Sequence, residues 1–453
     1  MLTCFYALGG INYKNGVITT CPRQANQLVF AHETILPSEI LNHKNFLSLR
    51  KKLYNDEWPS GCSTCEDMEK VGAKSMRKDY ELNSDNFFGK HFRNKNTHTN
   101  EIKIKEEKTN IKLIDCYDKS THRVIPEGLR HVEFRFSTAC NFSCLHCSKV
   151  YSSGWTKKLR NYEPDQEVIL SDLRQLLGTE HRHGPNDRNE MSLSIEESLK
   201  IVEDLNENFP LLQYVDFAGG ELLYQKQFFP TLKKLADHPN AKNIKISFHT
   251  NFNADFDVAL LSKHLECFDS SAIIISVDAG KTFYSYFRHG GNWDKLKQNI
   301  KEYKKLNSVN IGTSKSTLDI SCTTSIYQML DIYDVFESFI ELDCHFDASL
   351  VQSPPYLDPS LIFLDYKKET ENDIKRTLKL LDNNFNSTNN KQGKYAHYWF
   401  NYIINYVQNF KPKHRDFNRF LIYRKKSDEI WKQNFNDYFQ NYQIEDNELI
   451  RVK

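Results

Sequence analysis

Three cysteines in a C-x3-C-x2-C spacing, Cys140, Cys144 and Cys147 in STACNFSCLHCSK, follow directly on the apolar stretch Val132–Phe136. That stretch reads as a β-strand. It places the three thiols on the loop at a strand's carboxyl end, where chemistry sits in barrels of parallel strands. Three closely spaced thiolates can cap three irons of a [4Fe-4S] cube and leave the fourth open to a ligand. Zinc is the alternative, but it favours paired C-x2-C arms closed by a fourth protein ligand.

From Val132 onward short apolar strands alternate with amphipathic helices. The strands are predicted at Val132–Phe136, Tyr214–Phe217, Ile244–Phe248, Ala272–Val277, Thr317–Cys322 and Cys344–Val351. The helices between them are predicted at Ile195–Asn208, Gln227–Ala236, Asp257–His264, Trp293–Leu306 and Ser325–Phe339. This βα order predicts the α/β class and a partial (β/α)6 barrel over residues 131–355. Val150–Ser194 is long for a βα connection and carries the polar run TEHRHGPNDRNEM, so it reads as an inserted loop and a candidate lid. Residues 356–453 turn helical, and their aromatic segments, such as YAHYWFNYIINYVQNF, read as core-facing helices. Residues 1–80 hold Cys4, Cys21, Cys62 and Cys65 and one predicted helix, Ser38–Tyr54. They read as a small cysteine-rich domain, joined to the barrel by a connector over 81–130 that begins rich in Asn, Lys and Glu.

Charge and composition exclude several function classes. The 453 residues carry 60 Lys plus Arg against 59 Asp plus Glu, a balance that provides no broad positive field to gather nucleic acid or an anionic membrane. The N-terminus lacks an export signal and no run of about 18 apolar residues occurs, so a cytoplasmic protein is expected. Eleven cysteines in a reducing compartment point to metal ligation rather than disulfides.

The three-cysteine loop, with His146 just before its third cysteine, resembles the cluster loop of the radical S-adenosylmethionine (SAM) enzymes. Further matches arrive in order on the later strands. Gly219, Gly220 and Glu221 in VDFAGGELL resemble the family's Gly-Gly-Glu motif, which holds the amino group of SAM's methionine. Asn251 in SFHTNFN stands where the family often has Thr-Asn-Gly, with Phe252 in place of the glycine. Ser276 and Asp278 in ISVDAG are expected to contact ribose hydroxyls, although Asp278 equally suits a helix cap. Arg288 in FRHGGNW resembles an arginine that pairs with the SAM carboxylate. The resemblance implies that SAM chelates the open iron, that the reduced cluster cleaves it to a 5′-deoxyadenosyl radical, and that this radical abstracts a substrate hydrogen. The cofactor then carries the hard chemistry, and the protein supplies orientation and a dry site.

The N-terminal cysteines carry a second resemblance. The Cys4-x11-Gly16-x4-Cys21 spacing is similar to the start of SPASM and twitch auxiliary-cluster modules, and WPSGCSTCEDME resembles a radical SAM group with that module ahead of the barrel. It implies an auxiliary Fe–S cluster on Cys4, Cys21, Cys62 and Cys65, with zinc as the alternative. Cys267 and Cys322 are expected to be inert buried thiols, while Cys116 and Cys344 stay open to a cluster or relay role. Modification of a peptide or protein side chain is the expected reaction. Dehydrogenation or rearrangement of a sugar- or aminocyclitol-like small molecule is the alternative, and a metal-stabilised interaction module the non-enzymatic one. A one-electron donor such as flavodoxin or ferredoxin is the implied partner.

Overall fold

In the computed structural model the described residues are 2, 4–14, 16–24, 29–70, 72, 75–79, 112–148, 151–160, 192–307, 316–351, 354–385, 391–439, 441–445 and 448–451. Residues 81–111 of the predicted connector and 161–191 of the predicted insertion lie outside them.

One nine-stranded sheet organises the chain. Its strands are β1 (Gly10–Lys14), β2 (Val17–Thr19), β3 (Val29–Phe30), β4 (His131–Arg135), β5 (Tyr214–Phe217), β6 (Lys245–Thr250), β7 (Ser270–Ser276), β8 (Ser316–Thr324) and β9 (His345–Leu350). They lie in the order β3-β2-β1-β4-β5-β6-β7-β8-β9. The six predicted strands are β4 to β9, each parallel to the next. The helices predicted at Ile195–Asn208 and Trp293–Leu306 form over those spans. The first opens on a capping box in which Ser194 and Glu197 satisfy each other's backbone N–H. The predicted Ser38–Tyr54 helix is two, Pro37–Ile40 and Lys44–Tyr54, because His43 caps the second. Likewise Asp331 divides the predicted Ser325–Phe339 helix into Ile326–Leu330 and Ile332–Leu342.

The N-terminal segment supplies three strands to this sheet. β1 runs parallel to β4 in the register Gly10↔His131 to Lys14↔Arg135 and turns back through β2. Tyr13 stacks on Phe134 at 5.6 Å and donates from its hydroxyl to the Ile35 carbonyl at 2.7 Å. Gly10 is required here, because a Cβ would stand 2.6 Å from the Thr20 carbonyl oxygen.

The two faces of the sheet differ in kind. Ile11, Val132, Phe134, Val215, Phe217, Ile246, Phe248, Ile273 and Ile275 are fully or almost fully buried and share one face with the helices. By alternation the other face carries Asn12, Glu133, Arg135, Asp216, Ser247, Asp319 and Ser321. Parallel sheets are ordinarily apolar on both faces. On this polar face Arg135, Asp216, Asp319 and Ser321 are only half-buried. The C-terminal helices Lys367–Phe385, Lys391–Asn409 and His414–Trp431 and a hairpin, Tyr442–Glu445 with Glu448–Arg451, complete the chain.

Candidate functional site

The three-cysteine loop leaves the carboxyl end of β4 and is held from every side. Ser143 N–H donates to the His289 carbonyl at 3.0 Å and Leu145 N–H to the Phe287 carbonyl at 2.9 Å. This docks the loop on the segment that carries Arg288. On its outer side, the carbonyls of Phe142, Cys144 and Leu145 accept from Ser152 Oγ (2.7 Å), Trp155 Nε1 (3.0 Å) and the Tyr423 hydroxyl respectively. Trp155 packs edge-on against Trp431 at 4.3 Å. Phe142 N–H points at Cys140 Sγ, 3.4 Å away. Burial pushes the Cys140, Cys144 and Cys147 thiols up, Cys147 to about 12, and for all three the nearby Arg288 guanidinium works the other way.

The Gly-Gly-Glu turn packs directly against this loop. Gly219 and Gly220 have φ of 88° and 54°, and a Cβ on Gly220 would lie 2.2 Å from the Ala139 carbonyl oxygen. The same carbonyl accepts from Glu221 N–H at 2.8 Å and from Gln225 Nε2 at 3.1 Å. Glu221 is buried, and its carboxylate accepts from Leu223 N–H, the Thr250 hydroxyl and Asn251 N–H. Burial raises its pKa against these hydrogen bonds. Asn251 in turn donates from Nδ2 to Asn141 Oδ1 at 2.8 Å, tying the end of β6 to the cysteine loop. Phe252, standing where the resemblance expects glycine, does adopt the left-handed region, with φ of 52°.

Asp278 and Arg288 form a buried ion pair. β7 ends at Ser276, and Asp278 has φ of 52°, so strand alternation does not carry through to it. Its carboxylate also accepts from Thr323 N–H at 2.6 Å and faces His146 Nε2 at 3.4 Å. Ser276 is half-buried. His146 stacks on Phe287 at 5.1 Å, and burial lowers its pKa. Arg288 Nε, His146 Nδ1 and the Tyr284 hydroxyl are buried with no hydrogen-bond partner among the described residues.

The four N-terminal cysteines come together from three separate segments. Cys4 precedes the helix Phe5–Gly9, Cys21 follows β2, and Cys62 and Cys65 flank the start of the helix Ser63–Lys70. Cys4 and Cys21 pack with Tyr6 and Met76. Burial pushes the Cys21 and Cys62 thiols up, Cys62 to about 12, and each is pushed further by the charges of the other cysteines. Among the described residues no three His, Cys, Asp or Glu side chains converge as a single metal ion would need. A cubane instead takes one cysteine per iron. Of the remaining thiols, Cys116, Cys322 and Cys344 are buried, whereas Cys267 is exposed. The expectation of a buried Cys267 is thus corrected: it follows the helix Val258–Leu265 on its solvent side.

Trp155, Tyr423 and Gln225, which brace the loop, were not singled out from the sequence. Nothing in their local sequence marks them, and the loop partners of Tyr423 and Gln225 lie far off in the chain. The Asn-Gly dipeptide at 15–16 was the available signal for the β1–β2 hairpin.

No curated protein matches the chain. Among solved structures it is similar to a histidine-tagged anSMEcpe with bound AdoMet, at 20% identity and TM-score 0.33, covering 56% of this chain and 59% of that one. It is also similar to Streptococcus suis SuiB bound to S-adenosylmethionine, at 12% identity and TM-score 0.32, covering 54% and 48%. A third is Streptococcus suis SuiB bound to precursor peptide SuiA, at 13% identity and TM-score 0.32, covering 72% and 63%. The chain spans less than two thirds of the length of each of these structures. Residues 134–319, the stretch that contains the cysteine loop, the Gly-Gly-Glu turn and the Asp278–Arg288 pair, match the Radical SAM superfamily.

Proposed function

We propose that this chain is a radical SAM enzyme that modifies a peptide or protein side chain. Cys140, Cys144 and Cys147 would hold its [4Fe-4S] cluster, and Cys4, Cys21, Cys62 and Cys65 an auxiliary one. The observation that carries this reading is the union of three thiols on one strand-end loop with buried polar atoms that lack partners, Arg288 Nε, His146 Nδ1 and the Tyr284 hydroxyl. Unpaired buried polar groups are costly, and a ligand bearing carboxylate, amine and hydroxyl groups would satisfy them. When bound, the cluster supplies the electron that cleaves SAM to its 5′-deoxyadenosyl radical.

The chain's own residues prepare that event. Glu221 has about four acceptor positions, of which Leu223, Thr250 and Asn251 occupy three, leaving one for an ammonium. Arg288, held by Asp278, presents its remaining guanidinium edge to a carboxylate. The polar face of the sheet begins beside the loop, and its half-buried Arg135, Asp216 and Asp319 suit a polar substrate. No described helix is long and apolar enough to cross a membrane.

Anaerobic reconstitution with iron, sulfide, dithionite and SAM tests the reading by release of 5′-deoxyadenosine. Substrate-stimulated release with peptides supports the peptide assignment, whereas stimulation only by a sugar or aminocyclitol moves it to the small-molecule alternative. Absence of cleavage from protein that holds a full cluster overturns the enzyme assignment.

A further inference from the structure

The four N-terminal thiols are accompanied by a charged network built from the residues just after them. Glu69 lies on the same helix as Cys65, and its carboxylate accepts from Arg77 Nε at 2.9 Å and again from Arg77 Nη2, as well as from the Ser75 hydroxyl. Ser75 is fully buried, and its hydroxyl oxygen also accepts from Lys78 N–H at 3.2 Å. The Arg77 guanidinium stands over the Trp58 ring, 5.6 Å from its centroid. Met76, its neighbour, packs with Cys4 and Cys21. Two-pronged pairing and ring stacking together fix a guanidinium in a way a lone surface arginine is not fixed.

An ordinary surface ion pair would face water and contribute little. This one does not. The side chains of Arg77 and Glu69 are 12% and 11% exposed, and Glu69 stands one helical turn beyond Cys65, so the guanidinium it grips is held near that ligand. Burial works against the Arg77 charge, which Glu69, Cys4 and Cys65 together sustain.

We propose that Arg77, clamped by Trp58 and by a Glu69 that Ser75 holds in place, is a positioning residue that sets the charge of the N-terminal four-cysteine site and so its reduction potential. The inference rests on the reading of that site as an Fe–S cluster. Four thiolates give a cluster a net negative charge that grows on reduction, and net charge and hydrogen bonding to the ligand sulfurs are what tune such potentials. A fixed cation gripped one helical turn from a cluster ligand stabilises the reduced form. Glu69 offsets part of that charge while fixing where it stands.

The test uses the full chain carrying Cys140→Ala, Cys144→Ala and Cys147→Ala, so that only the N-terminal site can hold a cluster, reconstituted anaerobically with iron and sulfide. Its midpoint potential is followed by electron paramagnetic resonance in a redox titration. Arg77→Gln is expected to keep the iron and shift the potential negative, and Arg77→Lys to stay nearer the parent. Unchanged potential in Arg77→Gln with iron intact overturns the inference. If Arg77→Gln loses its iron, retention in Arg77→Lys supports a requirement for the charge, and loss in both overturns it in favour of a purely structural fork. Zinc, or no metal at all, in the parent site instead overturns the cluster reading itself.

Discussion

The hydroxyl of Tyr423, on the C-terminal helix His414–Trp431, donates to the carbonyl of Leu145, the residue directly after Cys144. The two residues are 278 positions apart, so the C-terminal region is part of the site's frame. Tyr423→Phe keeps the ring and its contact with Tyr356 while removing one buried donor, at a cost of about 1–3 kcal/mol. The expected outcome is a folded protein whose proposed Cys140/Cys144/Cys147 cluster, once reconstituted, loses iron faster to a chelator than wild type. Equal rates of loss would show that the other anchors hold the loop unaided.

The Asp278–Arg288 pair predicts an asymmetric mutational response. Arg288→Ala leaves a buried carboxylate supported only by Thr323 N–H and the more distant His146, and should cost about 3–5 kcal/mol in denaturant unfolding. Asp278→Asn combined with Arg288→Met should recover most of that stability without recovering SAM affinity, measured by equilibrium binding to the reconstituted protein. Restored affinity in the double variant would remove Arg288 from the SAM site.

Two cubane clusters correspond to about eight irons and eight sulfides per chain. Cys140→Ala, Cys144→Ala and Cys147→Ala together should remove about half and abolish SAM cleavage. Cys62→Ala with Cys65→Ala should retain dithionite-driven release of 5′-deoxyadenosine, because four-cysteine ligation leaves no open iron for SAM. Iron analysis and chromatography of the nucleoside decide both. Loss of cleavage in a folded Cys62/Cys65 variant with its barrel cluster intact would point to electron entry through the N-terminal site.

Asp331 gives a pH prediction away from the cysteines. It precedes the helix Ile332–Leu342, accepts from Asn441 Nδ2 at 2.7 Å, and is pushed up to about 7 by burial and by the nearby Asp334 and Asp373 carboxylates. A raised carboxyl pKa favours the fold below the unfolded value, and that contribution is lost as pH rises through about 7. Asp331→Asn should therefore raise stability by up to about 4 kcal/mol at pH 8 and by little near pH 4. Thermal unfolding across that range checks it, and a pH-independent difference would contradict the assignment.

Local spacing and periodicity made much of this protein legible from its sequence. C-x3-C-x2-C after a strand is a local pattern, and so is the alternation that marks β4 to β9. The neighbourhood of Gly220, Glu221, Asn251 and Arg288 followed because parallel βα units bring successive strand ends to one side of a sheet. Pairing and packing across long separations were not legible. β1 is only five residues long, and nothing in them declares β4 as a partner. The Asp278–Arg288 pair arises because β7 ends at Ser276 and the chain enters the left-handed region at Asp278. The brace from Tyr423 and the placement of Arg77 depend on which surfaces meet when the chain compacts. Only the tertiary structure decides such contacts, because their energy is realised only between residues that the sequence holds far apart.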